Sequence, residues 1–196
     1  MKGAFRKCKT SLLCALFLCV IFSCKDNKME TEISEFCKHQ VSIPSEKMIR
    51  KYCSHFRDSS ALRQFTIVDY TEAEDCSNCS VSKIAALERE SETVAENGCK
   101  ASFVHIVRVH PDYADMIYKE LCYTRIRGLV YLDTCNAFVE ANPHLPSSPM
   151  LHTFVINESG NVLLVGNPFA CKSMLTLYEK ITSKQLTKRR KSKTTK

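Results

Sequence analysis

Two hydrophobic periods alternate along most of this chain. Residues 65–70 (FTIVDY) are β-branched and aromatic, which predicts a strand. Residues 80–97 carry Val81, Ile84, Ala85, Leu87 and Val94 at helical spacing. Strand character returns in residues 102–109 (SFVHIVRV). Residues 112–125, opened by Pro111, then gather Tyr113, Met116, Ile117, Leu121 and Cys122 on one helical stripe. A short strand is expected over 128–132 (GLVYL), and a proline-rich loop over 141–149. Residues 153–157 (TFVIN) and 162–165 form a hairpin across Glu158-Ser159-Gly160-Asn161, with Gly160 supplying the positive φ that such turns need. A last helix spans 173–181. This order predicts an α/β fold, a central mixed β-sheet flanked by helices on both faces. No segment repeats.

Ahead of this body the pattern weakens. Residues 25–36 are polar and read as a tether, while Met48, Ile49, Tyr52 and Phe56 fall at roughly helical spacing in a stretch read as an appendage. The resulting division is 1–23, a leader; 24–61, tether and N-terminal appendage; 62–183, the main domain; and 184–196, a basic disordered tail. In the leader, Lys2, Arg6, Lys7 and Lys9 precede an uncharged run over 11–23. That run is shorter than the roughly 20 residues a membrane-spanning helix needs, so it predicts a secretory signal. It ends in Ile21-Phe22-Ser23-Cys24, which resembles the lipobox of bacterial lipoproteins. The resemblance implies that Cys24 is acylated, becomes the mature N-terminus and anchors the protein to a lipid membrane. The alternative is an ordinary cleaved signal with Cys24 near the cut.

The formal charge of +7 reflects the two ends of the chain. The leader holds the four cations just named, and the C-terminal stretch adds Lys184, Lys188, Arg189, Arg190, Lys191, Lys193 and Lys196 with no acid. The body between them is mildly acidic, and nucleic acid is not implied as a partner. The basic end reads as a solvated terminus, with contact to anionic lipid as the alternative. Of 12 cysteines, Cys8, Cys14 and Cys19 lie in the leader. Beyond Cys24 come Cys37, Cys53, Cys76, Cys79, Cys99, Cys122, Cys135 and Cys171, an even number that permits disulfides in an exported protein and leaves their pairing open.

The chemistry concentrates at Cys76 and Cys79, which are separated by Ser77 and Asn78 where the first strand gives way to the first helix. Two thiols at this spacing can close a small-ring disulfide, and a helix N-terminus favours the thiolate. An unperturbed thiol of pKa ~8.5 is only about 3% ionised at pH 7, so that setting decides whether Cys76 can act as a nucleophile.

A strand feeding Cys-x-x-Cys at a helix start, a βαβ crossover, a proline before a hairpin strand and a closing helix together resemble the thioredoxin fold. Thr153-Phe154-Val155-Ile156-Asn157, with Gly160 and Val162, resembles the strand pair of membrane-tethered thiol:disulfide oxidoreductases of bacterial envelopes. With the lipobox, the chain is similar to thioredoxin-like lipoproteins of Gram-negative gut anaerobes. The resemblance covers about residues 62–182 and implies a thiol-disulfide oxidoreductase of the Gram-negative cell envelope, on the outer membrane facing the periplasm. Its partners would be exported proteins with thiols or disulfides and a membrane reductant or oxidant. It needs no cofactor beyond the redox-active cysteine pair. By the same resemblance Cys76 is the nucleophile and Cys79 the resolving thiol. Asp69 lies near where thioredoxins bury a proton-accepting aspartate, though one residue further from the motif, and a solvent-facing carboxylate is the alternative. Pro149 stands nearest to the family's loop proline, about two residues early. Asp75 replaces the family's tryptophan, and its charge opposes ionisation of Cys76.

The competing readings are an inert use of the fold and a soft-metal carrier. No second Cys-x-x-Cys exists, and His39, His55, His105, His110, His144 and His152 show no zinc-ligand spacing, so no metal site is expected. A copper site of Cys76, Cys79 and His152 is the binding-module alternative. His105, alternating within a strand, reads as a packed or edge residue.

Overall fold

In the computed structural model the described residues are 28–51, 65–72, 77–94, 102–124 and 126–194, the side chains of 51, 77–79, 93–94 and 185–194 excepted. The leader and Cys24 lie outside them, as do Cys53, Cys76 and Cys99. Helix α1 covers residues 28–36. It is followed by β1 (Ile49–Lys51), β2 (Thr66–Glu72), α2 (Ser77–Val94), β3 (Ser102–Arg108), α3 (Ala114–Tyr123), β4 (Leu129–Asp133), α4 (Ala137–Ala141), β5 (Thr153–Ile156), β6 (Val162–Val165) and α5 (Lys172–Thr194). Short 3-10 turns at Pro111–Tyr113 and Pro149–Leu151 lead into α3 and β5.

The six strands form one mixed sheet in the order β1-β4-β3-β2-β5-β6. Strands β2, β3 and β4 are parallel neighbours, while β5, β6 and β1 run antiparallel to the strands they pair with. The α/β architecture expected from the sequence is therefore present. Strand β2 is buried from Thr66 through Thr71, as a strand covered on both faces must be. Val68 and Tyr70 join Val104, Ile106, Phe154 and Ile156 on the face covered by Phe36 of α1 and Phe138 of α4. On the other face Val107, Val130 and Leu132 meet Val81 and Ile84 of α2 and Ile117 and Leu121 of α3. Ile67 and Val155 meet Leu87 of α2 and Tyr178 of α5 on that same face. Alternation along β2 thus points Asp69, between Val68 and Tyr70, toward α2.

The N-terminal segment differs from its expected form. Residues 28–36 are helical rather than a tether, and Phe36 packs edge-on against Phe154 with ring centroids 5.0 Å apart. Ile49–Lys51 is an edge strand on β4 rather than part of a helix, and buried Met48 enters the same cluster as Phe36. Over so few residues, helical spacing does not separate a helix from a strand with one anchored side chain. The backbone N–H of Val41 donates to the Gly160 carbonyl at 2.8 Å, closing this segment onto the β5–β6 turn.

At the other end α5 continues to Thr194, past Lys184 where a disordered tail was expected. Neither glycine nor proline occurs between Lys184 and Thr194, and Lys, Arg, Gln and Leu are good helix formers, so nothing there stops the helix. Helix α4 was not anticipated either. It is started by buried Asp133, whose carboxylate accepts the N–H groups of Ala137 and Phe138, each at 2.9 Å.

Candidate functional site

The described span of helix α2 is Ser77–Val94. Cys76 lies outside the described residues; Cys79 falls in the first turn of α2, with its side chain not described. Beneath α2 lies a buried set of charged groups centred on Asp69.

Asp69 and His105 sit side by side in the β2–β3 pairing and are almost wholly excluded from solvent, at 1% and 0% exposure. Thr153 Oγ1 donates to Asp69 Oδ1 at 2.7 Å, and Thr71 Oγ1 to Oδ2 at 3.2 Å. The half-exposed Lys83 of α2 brings Nζ to 3.7 Å from Oδ1. His105 Nδ1 stands 3.8 Å from Asp69 Oδ2, a charge contact too long for a hydrogen bond. On its other side His105 Nε2 donates to Glu88 Oε1 at 3.0 Å. Glu88, also on α2, accepts the backbone N–H of Arg127 at 2.9 Å and of Gly128 at 2.7 Å. Gly128 has to be glycine, since a Cβ there would come within 2.7 Å of Phe103 Cβ and 2.9 Å of the Glu88 carboxylate.

Two carboxylates and two cations balance in this set. Burial opposes the charge on His105, but Asp69 and Glu88 on either side outweigh it and raise its pKa to about 9. Burial likewise works against Asp69, yet His105, Lys83 and Thr153 hold its carboxyl down at about 2. Glu88 is also lowered, against burial, by His105 and by the two backbone N–H groups. Asp69 is therefore a buried, ionised, paired carboxylate rather than a solvent-facing one. His105 is a central participant rather than a packing residue. Its role was hidden because nothing in the alternation of β3 reveals which β2 side chain stands beside it.

Pro149 is exposed and opens the turn Pro149–Leu151, so His152 rather than Pro149 leads into β5. No cis peptide bond occurs among the described residues. The His152 carbonyl accepts the Tyr70 N–H at 3.0 Å, continuing the β2–β5 pairing. The His152 ring is buried, which pushes its pKa down, and Nε2 donates to the Pro146 carbonyl at 2.8 Å. That commits Nε2 to the loop and fixes the tautomer of the ring.

Cys37, Cys135 and Cys171 carry free, exposed thiols, whereas Cys122 is disulfide-bonded. Cys171, directly before α5, lies 3.0 Å from Ser173 Oγ. The Ser173 hydroxyl and the backbone N–H groups of Met174 and Ser173 lower its pKa, whereas burial pushes the Cys37 thiol up.

No protein-family model matches the chain, and no curated protein matches it in sequence. Among solved structures it is similar to an uncharacterized thioredoxin-like protein from Porphyromonas gingivalis, at 12% identity over 61% of this chain and 74% of that one, with a TM-score of 0.43. It is also similar to a thioredoxin-like protein from Bacteroides caccae, at 11% identity over 73% of this chain and 48% of that one, TM-score 0.40. A third is a domain of a possible thiol-disulfide isomerase from Cytophaga hutchinsonii, at 14% identity over 74% of this chain and 99% of that one, TM-score 0.42. These likenesses are distant, and neither chemistry nor substrate is carried over from them.

Proposed function

We propose that this chain is a lipid-anchored thiol-disulfide oxidoreductase of a Gram-negative cell envelope, working through Cys76 and Cys79. The observation that supports this most is the charge pairing beneath α2, the helix that carries Cys79: buried Asp69 holds the half-exposed Lys83 of that helix with Nζ 3.7 Å from Oδ1. A helix N-terminus favours a thiolate at the first cysteine.

In the reductive direction the Cys76 thiolate attacks one sulfur of a client disulfide. The client S–S bond breaks, one client thiolate leaves and takes a proton, and a mixed disulfide remains. The Cys79 thiolate then attacks Cys76 Sγ, the second client thiolate leaves, and the client has gained two electrons while the pair has become a disulfide. A membrane reductant resets the pair; run backwards with an oxidant, the same steps oxidise an exported protein. Asp69, held near a pKa of about 2, is a weak base, so its part in this reading is not to accept the Cys79 proton. It holds the Lys83 ammonium. Lys83 follows Cys79 by one helical turn and so shares its face of α2, where a positive charge favours the Cys79 thiolate.

Replacing the resolving thiol tests the chemistry. Cys79→Ser is expected to accumulate a mixed disulfide with a reducible substrate such as insulin, and Cys76→Ser to lose insulin reduction. Insulin reduction that survives Cys76→Ser would overturn the reading. For the anchor, labelled palmitate should enter the wild-type chain and not Cys24→Ser.

A further inference from the structure

We propose that Glu35, His39 and His144 form a binding site for a divalent first-row transition metal, separate from the cysteine pair and independent of the redox reading. One potential ligand atom from each of these residues lies within 4.8 Å of the others. Glu35 Oε1 and His39 Nε2 are already 3.1 Å apart. That is close to the roughly 3.3 Å between two ligand atoms of a tetrahedral ion with bonds of about 2.0 Å. The His39 and His144 rings are stacked, with centroids 3.6 Å apart and planes 4° from parallel.

The scaffold around these side chains is fixed from both sides. Phe36, buried in the core, anchors the end of α1, and the His39 N–H donates to its carbonyl at 3.2 Å. Across from it Asn142, two residues before His144, accepts the Ser42 N–H at 2.9 Å and donates to the Ser42 carbonyl at 2.8 Å. Glu32, one turn before Glu35, accepts the Ser147 N–H at 3.1 Å and its hydroxyl at 2.9 Å. The helix end and the 141–149 loop are thus tied together on either side of the three side chains, so little backbone ordering remains to be done on binding.

The chemistry of the set selects the ion. Two imidazoles and one carboxylate suit Zn2+, Cu2+ or Ni2+, whereas Ca2+ and Mg2+ require mostly oxygen ligands. Glu35, like any glutamate, offers a charged oxygen at neutral pH. Lys38 bonds Oε2 at 2.8 Å and leaves Oε1 for the metal. An ion lies in the plane of each ring that binds it, and two stacked rings cannot both face one ion. His144, which is exposed, therefore turns out of the stack on binding. Three protein ligands leave a position for water or an external donor.

Histidine ring resonances of the full chain, titrated with Zn2+, test the site. The His39 and His144 ring nitrogens are expected to move together and saturate at one ion per chain, while buried His105 and His152 stay still. His144→Gln should weaken this uptake about 10-fold or more and remove the movement at His39. Zn2+ taken up with the His39 and His144 rings unmoved would place the ion elsewhere, on the thiols or on another histidine, and overturn the site. So would no uptake at all, or movement at His39 that is unchanged in His144→Gln.

Discussion

At the scale of single residues, His105 decides how the interior of this protein is balanced. Its imidazolium stands between two buried carboxylates, and removing it leaves Asp69 and Glu88 with one cation, Lys83, between them in a medium that penalises buried charge. His105→Ala should therefore cost about 3–5 kcal/mol of stability, read from the urea midpoint. The same pairing sets a pH dependence. A pKa raised from 6.5 to about 9 on folding gives stability that is complete below pH 6.5 and is lost as pH rises through 9. Asp69, lowered from 3.8 to about 2, contributes above pH 3.8 and loses its contribution as pH falls through 2. Melting temperatures should accordingly decline from pH 6.5 to pH 9, and that decline should shrink in His105→Ala. A decline of the same size in the variant would mean that other groups cause it. Among the free thiols, Cys171, with its hydrogen-bonded sulfur, should react with iodoacetamide at neutral pH before Cys37, as peptide mapping of partly alkylated protein would show. Asp69 was visible in the sequence through its place before the cysteines. Its partners were not, because strand register and the reach of Lys83 and Glu88 from α2 arise only when the sheet and helix pack.

At the scale of elements, the segments with a consistent period declared themselves, the short β4 among them, while β1, α1 and α4 did not. Strands β2 and β3, helices α2 and α3 and the β5–β6 hairpin follow from runs of consistent period. Gly160 shows why the hairpin was legible: its φ of +78° suits glycine, and a Cβ would also meet the Val41 carbonyl oxygen at 2.6 Å. Gly160→Ala should cost about 2 kcal/mol, measured by denaturant unfolding, through both the left-handed backbone and the displaced N-terminal segment. Strand β1 and helices α1 and α4 are held by tertiary contacts, such as Phe36 in the core and the Asp133 carboxylate at the start of α4, and local pattern carries no record of those. The C-terminal stretch of α5 failed in the opposite sense. Its charge suggested disorder, whereas its residues are good helix formers.

At the scale of the whole molecule, the sheet separates two kinds of covering. Helices α1 and α4 lie over Val68, Tyr70 and Phe154 with an apolar contact, while α2 lies over Asp69 and His105 and brings Lys83 and Glu88 down to them. The motif helix is thus held to β2 and β3 by paired charge as well as by Val81, Ile84 and Leu87. This fixes the direction of α2, and so where its N-terminus points. The proposed function draws on this, because a thiolate near a helix N-terminus is favoured only while the helix holds its direction.

The most direct test of the central claim is a redox titration of the chain from Lys25 onward across glutathione buffers, with free thiols trapped by a maleimide and mapped. Cys76 and Cys79 should titrate together as one two-electron couple, with a midpoint that tells whether the protein reduces or oxidises its clients. A pair that stays locked across the range, or never forms a disulfide, would contradict the account.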